Sequence, residues 1–268
     1  MITWFSHKEK KVTGTTKKSG DDFVSLSSHE LRSPLSIIKW YTEILLDGDA
    51  GPLTDDQRKY LTVIETSNQR AIDLVRSLLN ISRLDLGTFS ISPQETSFVT
   101  LVEDAIASLK KDADKKNVGI VFTNNGPSIS VSVDKRLCST VCRQIVSNAL
   151  SFSKPGSTVS VAIDIVKSGE VLVDHALREE SILVTVVDHG IGIPVKDQDR
   201  VFSKMFRASN VKDSDGTGSG LGLYIAKTIM TSVSGDIWFI SEEGKGSTFY
   251  VAFPTRGMKK KEGTTTLD

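Results

Sequence analysis

From residue 21 the chain carries an apolar repeat. Val24, Leu31, Ile38 and Leu45 recur every seven residues, and Leu35 and Tyr41 fill intermediate positions of the same stripe. Such a repeat predicts a helix over 21–47 with a seam along one face. The DGDAGPL stretch at 47–53 then punctuates the chain with Gly48, Gly51 and Pro52, which reads as a turn. Thr54, Asp55 and Asp56 suit the start of a second helix. That helix carries Tyr60, Ile64, Ala71, Leu74, Leu78 and Ile81 at three- and four-residue steps, and Gly87 supplies a stop. Two long helices joined by a short turn form an antiparallel hairpin. Because two helices alone bury little, the hairpin is expected to pair with a second copy as a dimeric four-helix bundle.

Beyond Gly87 the period changes. Residues 101–115 read as helix, 117–123 and 129–133 as strands, and 135–152 as helix. TVSVAIDIV at 158–166 alternates as a strand, and SILVTVV at 181–187 is a buried strand entering a glycine-rich turn. A helix over 220–232 and strands over 236–240 and 248–253 complete an α/β domain, expected as a two-layer sandwich with a mixed sheet. The domains expected are therefore a polar, flexible arm over 1–20, the helical hairpin over 21–87, the α/β domain over 92–256 and a disordered tail over 257–268.

Composition narrows the reading. Thirty-three basic residues balance 33 acidic ones, which argues against binding nucleic acid through phosphate neutralisation. The chain has two cysteines, too few for a disulfide scaffold. No apolar run approaches the ~20 residues of a membrane helix, so a cytoplasmic chain is expected. Cys138 and Cys142 lie four apart on one helical face with no further ligands near them in sequence, and are read as small buried hydrophobes.

The candidate chemistry sits in two places. On the first helix, SSHELRSPL puts His29 on the face opposite the seam. Glu30 beside it can take a proton from one imidazole nitrogen while the other attacks, and Arg32 adds a cation. Pro34 lacks an N–H and is expected to bend the helix just beyond His29. No second histidine follows at the spacing a metalloprotease needs. In the α/β domain there is no P-loop. Instead DHGIGIP (188–194), GTGSGLGLYIAK (216–227) and GKGST (244–248) spread three glycine clusters over the chain. Asp188 at a strand end can accept from an exocyclic amine, and glycines opening a helix suit a phosphate chain.

These motifs, in this order, resemble the kinase core of the sensor histidine kinases of two-component signalling. The resemblance covers residues 20–256. His29 to Leu35 resembles the phosphoacceptor box, QIVSNALSFS at 144–153 the asparagine box, and 188–194, 218–223 and 244–249 the glycine boxes. It implies a dimerisation and histidine-phosphotransfer hairpin followed by an ATP-binding domain of the type shared with gyrase and the Hsp90 chaperones. His29 would be the phosphorylated nucleophile and Glu30 its proton acceptor. Asn148 would hold Mg2+, Asp188 would read adenine, and Gly190 and Gly192 would shape the adenine pocket. Gly218, Gly220 and Gly222 would face the phosphates, and Thr248 would lie near the base. Residues 195–217 would form a mobile lid over ATP, with Arg207 as its cation.

The implied activity is ATP-dependent autophosphorylation of His29 and transfer to an aspartate of a response regulator receiver domain. The alternative is a catalytically weakened, nucleotide-binding dimeric scaffold. Several positions depart from the family pattern. Gln144 replaces the first asparagine of its box, Ser151 a common lysine, Met205 a lid phenylalanine, and Ser33 a threonine tied to dephosphorylating the partner. The upstream sensor and the signal are not written in these residues.

Overall fold

The computed structural model describes residues 15–126, 129–211 and 218–267, with side chains from Glu30 onward, and the chain divides into two units at Thr88–Phe89. The first unit is the hairpin of α1 (Thr15–Asp47) and α2 (Asp55–Leu86). Its turn uses Gly48 and Gly51, both at positive φ. Thr54 and Gln57 form a reciprocal capping box at the start of α2, and Gly87 in the left-handed conformation returns its N–H to Arg83 and Leu84. Helix α1 begins six residues before the apolar pattern does, so residues 15–20 are helical rather than a flexible arm. Once a helix is nucleated each further residue adds a bond, and polar residues do not oppose that. The rest of the expected arm, residues 1–14, lies outside the described residues.

Leu79, Ile81 and Leu84 near the end of α2 are buried, whereas Leu31, Ile38, Tyr41, Tyr60, Ile64, Leu74 and Leu78 are all between 40% and 64% exposed. Polar groups add to the contact between the helices. The buried Asn68 donates from Nδ2 to the Leu35 carbonyl at 2.9 Å, and Lys39 Nζ reaches Gln69 Oε1 at 3.3 Å.

The second unit is a two-layer α/β sandwich. Its elements are β1 (Gln94–Ser97), α3 (Phe98–Ser108), α4 (Lys110–Lys116), β2 (Gly119–Asn124), β3 (Ser130–Val133), α5 (Lys135–Phe152) and β4 (Thr158–Val166). They continue as β5 (Val171–Leu172), β6 (His175–Ala176), β7 (Ser181–Asp188), α6 (Val195–Gln198), α7 (Gly222–Ser232), β8 (Asp236–Glu242) and β9 (Gly246–Pro254). The main sheet runs β2-β4-β7-β9-β8. β2 is parallel to β4 and the other pairs are antiparallel, which makes the sheet mixed. β1 and β3 form a separate antiparallel pair.

Strand alternation sets the core. Ile182, Val184 and Val186 of β7 and Phe249, Val251 and Phe253 of β9 are buried, together with Leu137, Val141 and Ile145 of α5. Cys138 and Cys142 share that helix face. Burial pushes the Cys142 thiol up to about 12 and the Cys138 thiol well above its ordinary value, so both behave as small inert hydrophobes.

Two local features differ from the sequence reading. The predicted helix over 101–115 is two helices broken at Leu109, and Asn117 in the left-handed conformation ends the second. Residues 257–267, expected to be disordered, fold back on the start of the unit. Ile91 pairs with Lys261 and Phe89 with Thr265, and Met258 and Leu267 are buried. Backbone hydrogen bonds and two apolar side chains hold this segment, and its polar composition conceals both.

Candidate active site

Asp188 ends β7, the central strand of the main sheet, and is 6% exposed. Its Oδ1 accepts the N–H of Gly190 at 2.8 Å and that of Ser247 at 3.3 Å. Its Oδ2 accepts nothing from the described residues, so one carboxylate oxygen is fixed and the other is left for a ligand. Burial raises the carboxyl above its ordinary value, against the two N–H donors and the nearby His189, which act to lower it.

The turn after Asp188 lies against backbone on two sides. A Cβ on Gly190 would come within 2.3 Å of the Phe152 carbonyl oxygen at the end of α5. Gly192, at φ +62°, would place one 2.0 Å from the Glu242 carbonyl oxygen. Only glycine lets the loop pass between α5 and the β8–β9 hairpin. Ile193 N–H then donates to Ser241 Oγ at 2.8 Å, and Gly244 N–H to the Ile191 carbonyl at 2.7 Å.

Helix α5 brings Asn148 and Gln144 to the same region. Asn148 is half-buried and makes no hydrogen bond to the described residues, so its carboxamide oxygen is available as a hard ligand. Gln144 turns toward the start of α7, where its Oε1 would lie 2.4 Å from a Cβ on Gly222. The longer side chain at the departing asparagine position therefore packs against Gly222. Gly220, at φ +69°, lies against the backbone of Met205 and Phe206, and Gly218 faces open space.

The expected lid is partly anchored. Asp197 accepts both the N–H and the hydroxyl of Ser209 at 2.7 Å, and these bonds hold its carboxyl below the ordinary value. Asn210 donates to the Gly192 carbonyl at 3.0 Å, and Gln198 Nε2 to those of Ile193 and Ser241. Arg207 is exposed on this anchored part. Residues 212–217 lie outside the described residues.

One expected site residue is misplaced. β9 pairs Ser247 with Asp188 and Thr248 with Val187. Alternation then puts Thr248 on the opposite sheet face from Asp188, and Ser247 on the same one. Ser247 is buried, gives its N–H to Asp188 and bonds Ser241 Oγ at 2.9 Å. The signal was available in sequence, because Phe249, Val251 and Phe253 mark the core face and Ser247 falls in phase with them. On the hairpin, the backbone of His29 lies within α1, its side chain lies outside the described residues, and Glu30 is exposed.

Comparison with known proteins decides the family. Residues 133–257 match the histidine kinase-, DNA gyrase B- and HSP90-like ATPase family, and residues 21–87 match the His Kinase A (phospho-acceptor) domain. The chain belongs to the histidine kinases. This kinase core is 33% identical over 238 residues to the sensor histidine kinase WalK of Bacillus subtilis, covering 87% of this chain and 36% of that protein. It is 32% identical over 234 residues to the sensor-like histidine kinase SenX3 of Mycobacterium tuberculosis, covering 87% of this chain and 53% of that one. The kinase core thus spans about a third to a half of the length of these relatives.

Among solved structures, full-length ShkA in complex with AMPPNP superposes with a TM-score of 0.69 at 21% identity, over 90% of this chain and 47% of that one. The histidine kinase AdeS of Acinetobacter baumannii does so with a TM-score of 0.55 at 18% identity, over 85% and 98%. At those identities the likeness is one of fold. Among the described residues no helix is long and apolar enough to cross a membrane.

Proposed function

We propose that the kinase core binds ATP and Mg2+ in the second unit, phosphorylates His29 and passes the phosphoryl group to an aspartate of a response regulator receiver domain. The observation that carries this is the Asp188 carboxylate. One oxygen is pinned by Gly190 and Ser247 and the other is unclaimed among the described residues, beneath glycines that no side chain could replace. That is a reader for the exocyclic amine of adenine. The N-terminal glycines of α7 offer backbone N–H groups and a helix dipole to the phosphates. Asn148 fits a magnesium ligand because its carboxamide is half-buried and has no partner among the described residues. Bound there with the phosphates, the metal would neutralise charge on the transferring group.

In the reaction one ring nitrogen of His29 forms a bond to the γ-phosphorus, and the bond from that phosphorus to the β–γ bridging oxygen breaks, so ADP leaves. The proton on the other ring nitrogen passes to Glu30, and Arg207 offers positive charge to the γ-phosphate. Dimerisation completes the assembly. The apolar stripe of the hairpin, half exposed in one copy, buries against a second copy. A substrate of ATP and a receiver-domain partner place this core in the cytoplasm. Incubation with γ-labelled ATP and magnesium tests the proposal: acid-labile, base-stable label is expected. His29→Ala should reduce it below a tenth of the unaltered level while nucleotide affinity holds. Residual label above that points to another acceptor.

A further inference from the structure

The chain beyond α6 is fastened to the glycine loops on both sides of Arg207. On one side Met205, at φ +55°, and Phe206 run against Gly220. A Cβ on that glycine would lie 2.7 Å from the Met205 carbonyl carbon and 2.7 Å from the Phe206 carbonyl oxygen. On the other side Ser209 gives both its N–H and its hydroxyl to Asp197 Oδ2, each at 2.7 Å. Asn210 then donates to the Gly192 carbonyl at 3.0 Å, in the turn that follows Asp188. Arg207 adjoins Phe206 and is separated from Ser209 only by Ala208.

Asp197 makes this a firm attachment. It is buried on the short helix α6, and the Ser209 N–H and hydroxyl hold its carboxyl below the ordinary value. The acceptor is therefore ionised at neutral pH, and bonds to an ionised acceptor are stronger than neutral ones. Its neighbour Gln198 donates from Nε2 to the Ile193 carbonyl at 3.0 Å and to the Ser241 carbonyl at 3.1 Å. Helix α6 is thus bonded both to the loop after Asp188 and to β8, and what grips Ser209 is itself fixed. With Phe206 and Ser209 both held, the backbone of Arg207 has little room to move. The reaction as proposed above gives Asp197 and Ser209 no part.

We propose that Asp197 and Ser209 are positioning residues for the γ-phosphate: their clasp holds Arg207 with the glycine loops, so that its charge is in place before the phosphoryl group transfers. This rests on the kinase reading above and deepens it by naming what fixes the cation. Arg207 is then part of the fixed site, where the sequence places it on a moving lid. The physical basis is preorganisation. A charge held where the transition state needs it costs no rearrangement during the reaction, and a displacement of about 1 Å in such a group costs up to about a hundredfold in rate. Releasing Ser209 frees the chain on one side of Arg207 and leaves the Asp188 carboxylate and its glycines unchanged.

A double-mutant cycle on the full chain tests this. Asp197→Ala and Ser209→Ala are made alone and together with Arg207→Ala. Affinity is measured for ADP and for a non-hydrolysable ATP analogue, and the initial labelling rate at saturating ATP and magnesium. Asp197→Ala should lower the rate about tenfold, and Ser209→Ala, which keeps the N–H bond, about threefold. In the Arg207→Ala background each should change it by less than about twofold, because the group they position is gone. ADP has no γ-phosphate, and its affinity should stay within about twofold throughout; analogue affinity should fall by less than the rate. Unchanged rates in both single variants overturn the proposal. Full effects that persist without Arg207 overturn it too, since the clasp would then act through something else. So does a loss of ADP or analogue affinity as large as the loss of rate, which would put the effect in binding. Should Asp197→Ala bind no ADP because it fails to fold, Ser209→Ala at its exposed position decides alone. An unaltered chain that takes up no label defeats the kinase reading and this proposal with it, whereas a labelled chain with any of the other adverse results defeats the clasp only.

Discussion

The hairpin and the α/β unit solve opposite problems with the same residue types. In the α/β unit Val, Ile and Phe of β7 and β9 close into a core, and the polar residues at its edge are tied to backbone. In the hairpin Leu31, Ile38, Tyr41, Tyr60, Ile64, Leu74 and Leu78 stay half exposed, and the buried side chains include the polar Thr42 and Asn68 beside Leu79, Ile81 and Leu84. Asn68 even leaves its Oδ1 buried with no partner among the described residues. The α/β unit is therefore stable by its own packing, and the hairpin is built for a second surface. In the proposed function the first carries the nucleotide site, which must stay fixed, and the second carries the phosphoacceptor, which must meet more than one partner.

The largest effect expected from this contrast is on assembly. Ile38→Glu with Leu74→Glu places charge on two exposed seam positions, 43% and 40% exposed in one copy. Each buried Ile or Leu side chain contributes about 1.5–3 kcal/mol, and burying unpaired carboxylates adds repulsion. Sedimentation should show dimer affinity weakened at least about a hundredfold. Nucleotide affinity should stay within about twofold, since the α/β core is closed without the hairpin. A dimer of unchanged affinity would mean that the stripe is covered in some other way.

The converse experiment damages only the α/β unit. In Gly192→Ala, at φ +62°, the new Cβ would lie 2.0 Å from a carbonyl oxygen, so the loop and the β8–β9 hairpin must separate. Strain of this kind costs about 1–3 kcal/mol. We expect at least about tenfold weaker nucleotide binding and a lower melting transition for this unit, with dimer affinity unchanged. Full nucleotide affinity in the variant would place the adenine elsewhere.

A pH titration sharpens the same site. Burial raises the Asp188 carboxyl in the folded chain, so its ionised form is the disfavoured one there and folding gives up stability as pH rises through the raised value. In the proposed site adenine donates to the ionised oxygen and so would favour ionisation. Nucleotide affinity should therefore fall as pH is lowered through that raised value. Asp188→Asn should lose this dependence and its preference for ATP over GTP. An affinity flat from neutral pH down to the ordinary carboxylate range would remove Asp188 from direct contact.

Much of this was legible in the chain. The start and stop of α2 follow from Thr54 and Gly87, because caps are local chemistry. β4 is found where the alternation puts it, at Thr158–Val166. Asp188 and its glycines were visible because close backbone approach has one residue type that permits it. What was hidden depends on non-local bonding. The β5–β6 hairpin turns at Val173 and Asp174, both at positive φ without a glycine, so no turn signal marks it. The strap at 257–267 is held through backbone groups that every sequence carries. Apolar periodicity located the hairpin seam and led to the expectation of a second copy, but it gave no sign of the bond from Asn68 to the Leu35 carbonyl between the helices.

The smallest expected effect tests the residue that was read one position out of phase. Ser247 and Thr248 are adjacent hydroxyls at the start of β9, and register alone separates them. Ser247 shares the face of Asp188, holds it by N–H and links it through Ser241 to the Ile193 N–H. Ser247→Ala keeps the N–H but deletes the hydroxyl that joins the two loops, at a typical cost of about 0.5–1.5 kcal/mol for one hydrogen bond. Nucleotide affinity should fall about two- to tenfold. Thr248→Val keeps shape and β-branching on the far face of the sheet, where no described hydrogen bond uses the hydroxyl. Its affinity for nucleotide should match the unaltered chain within about twofold. The pair is measured together by titration calorimetry with the non-hydrolysable analogue. If Thr248→Val weakens binding more than Ser247→Ala does, the base is read from the other face of β9, and the pairing of Asp188 with Ser247 is structural only.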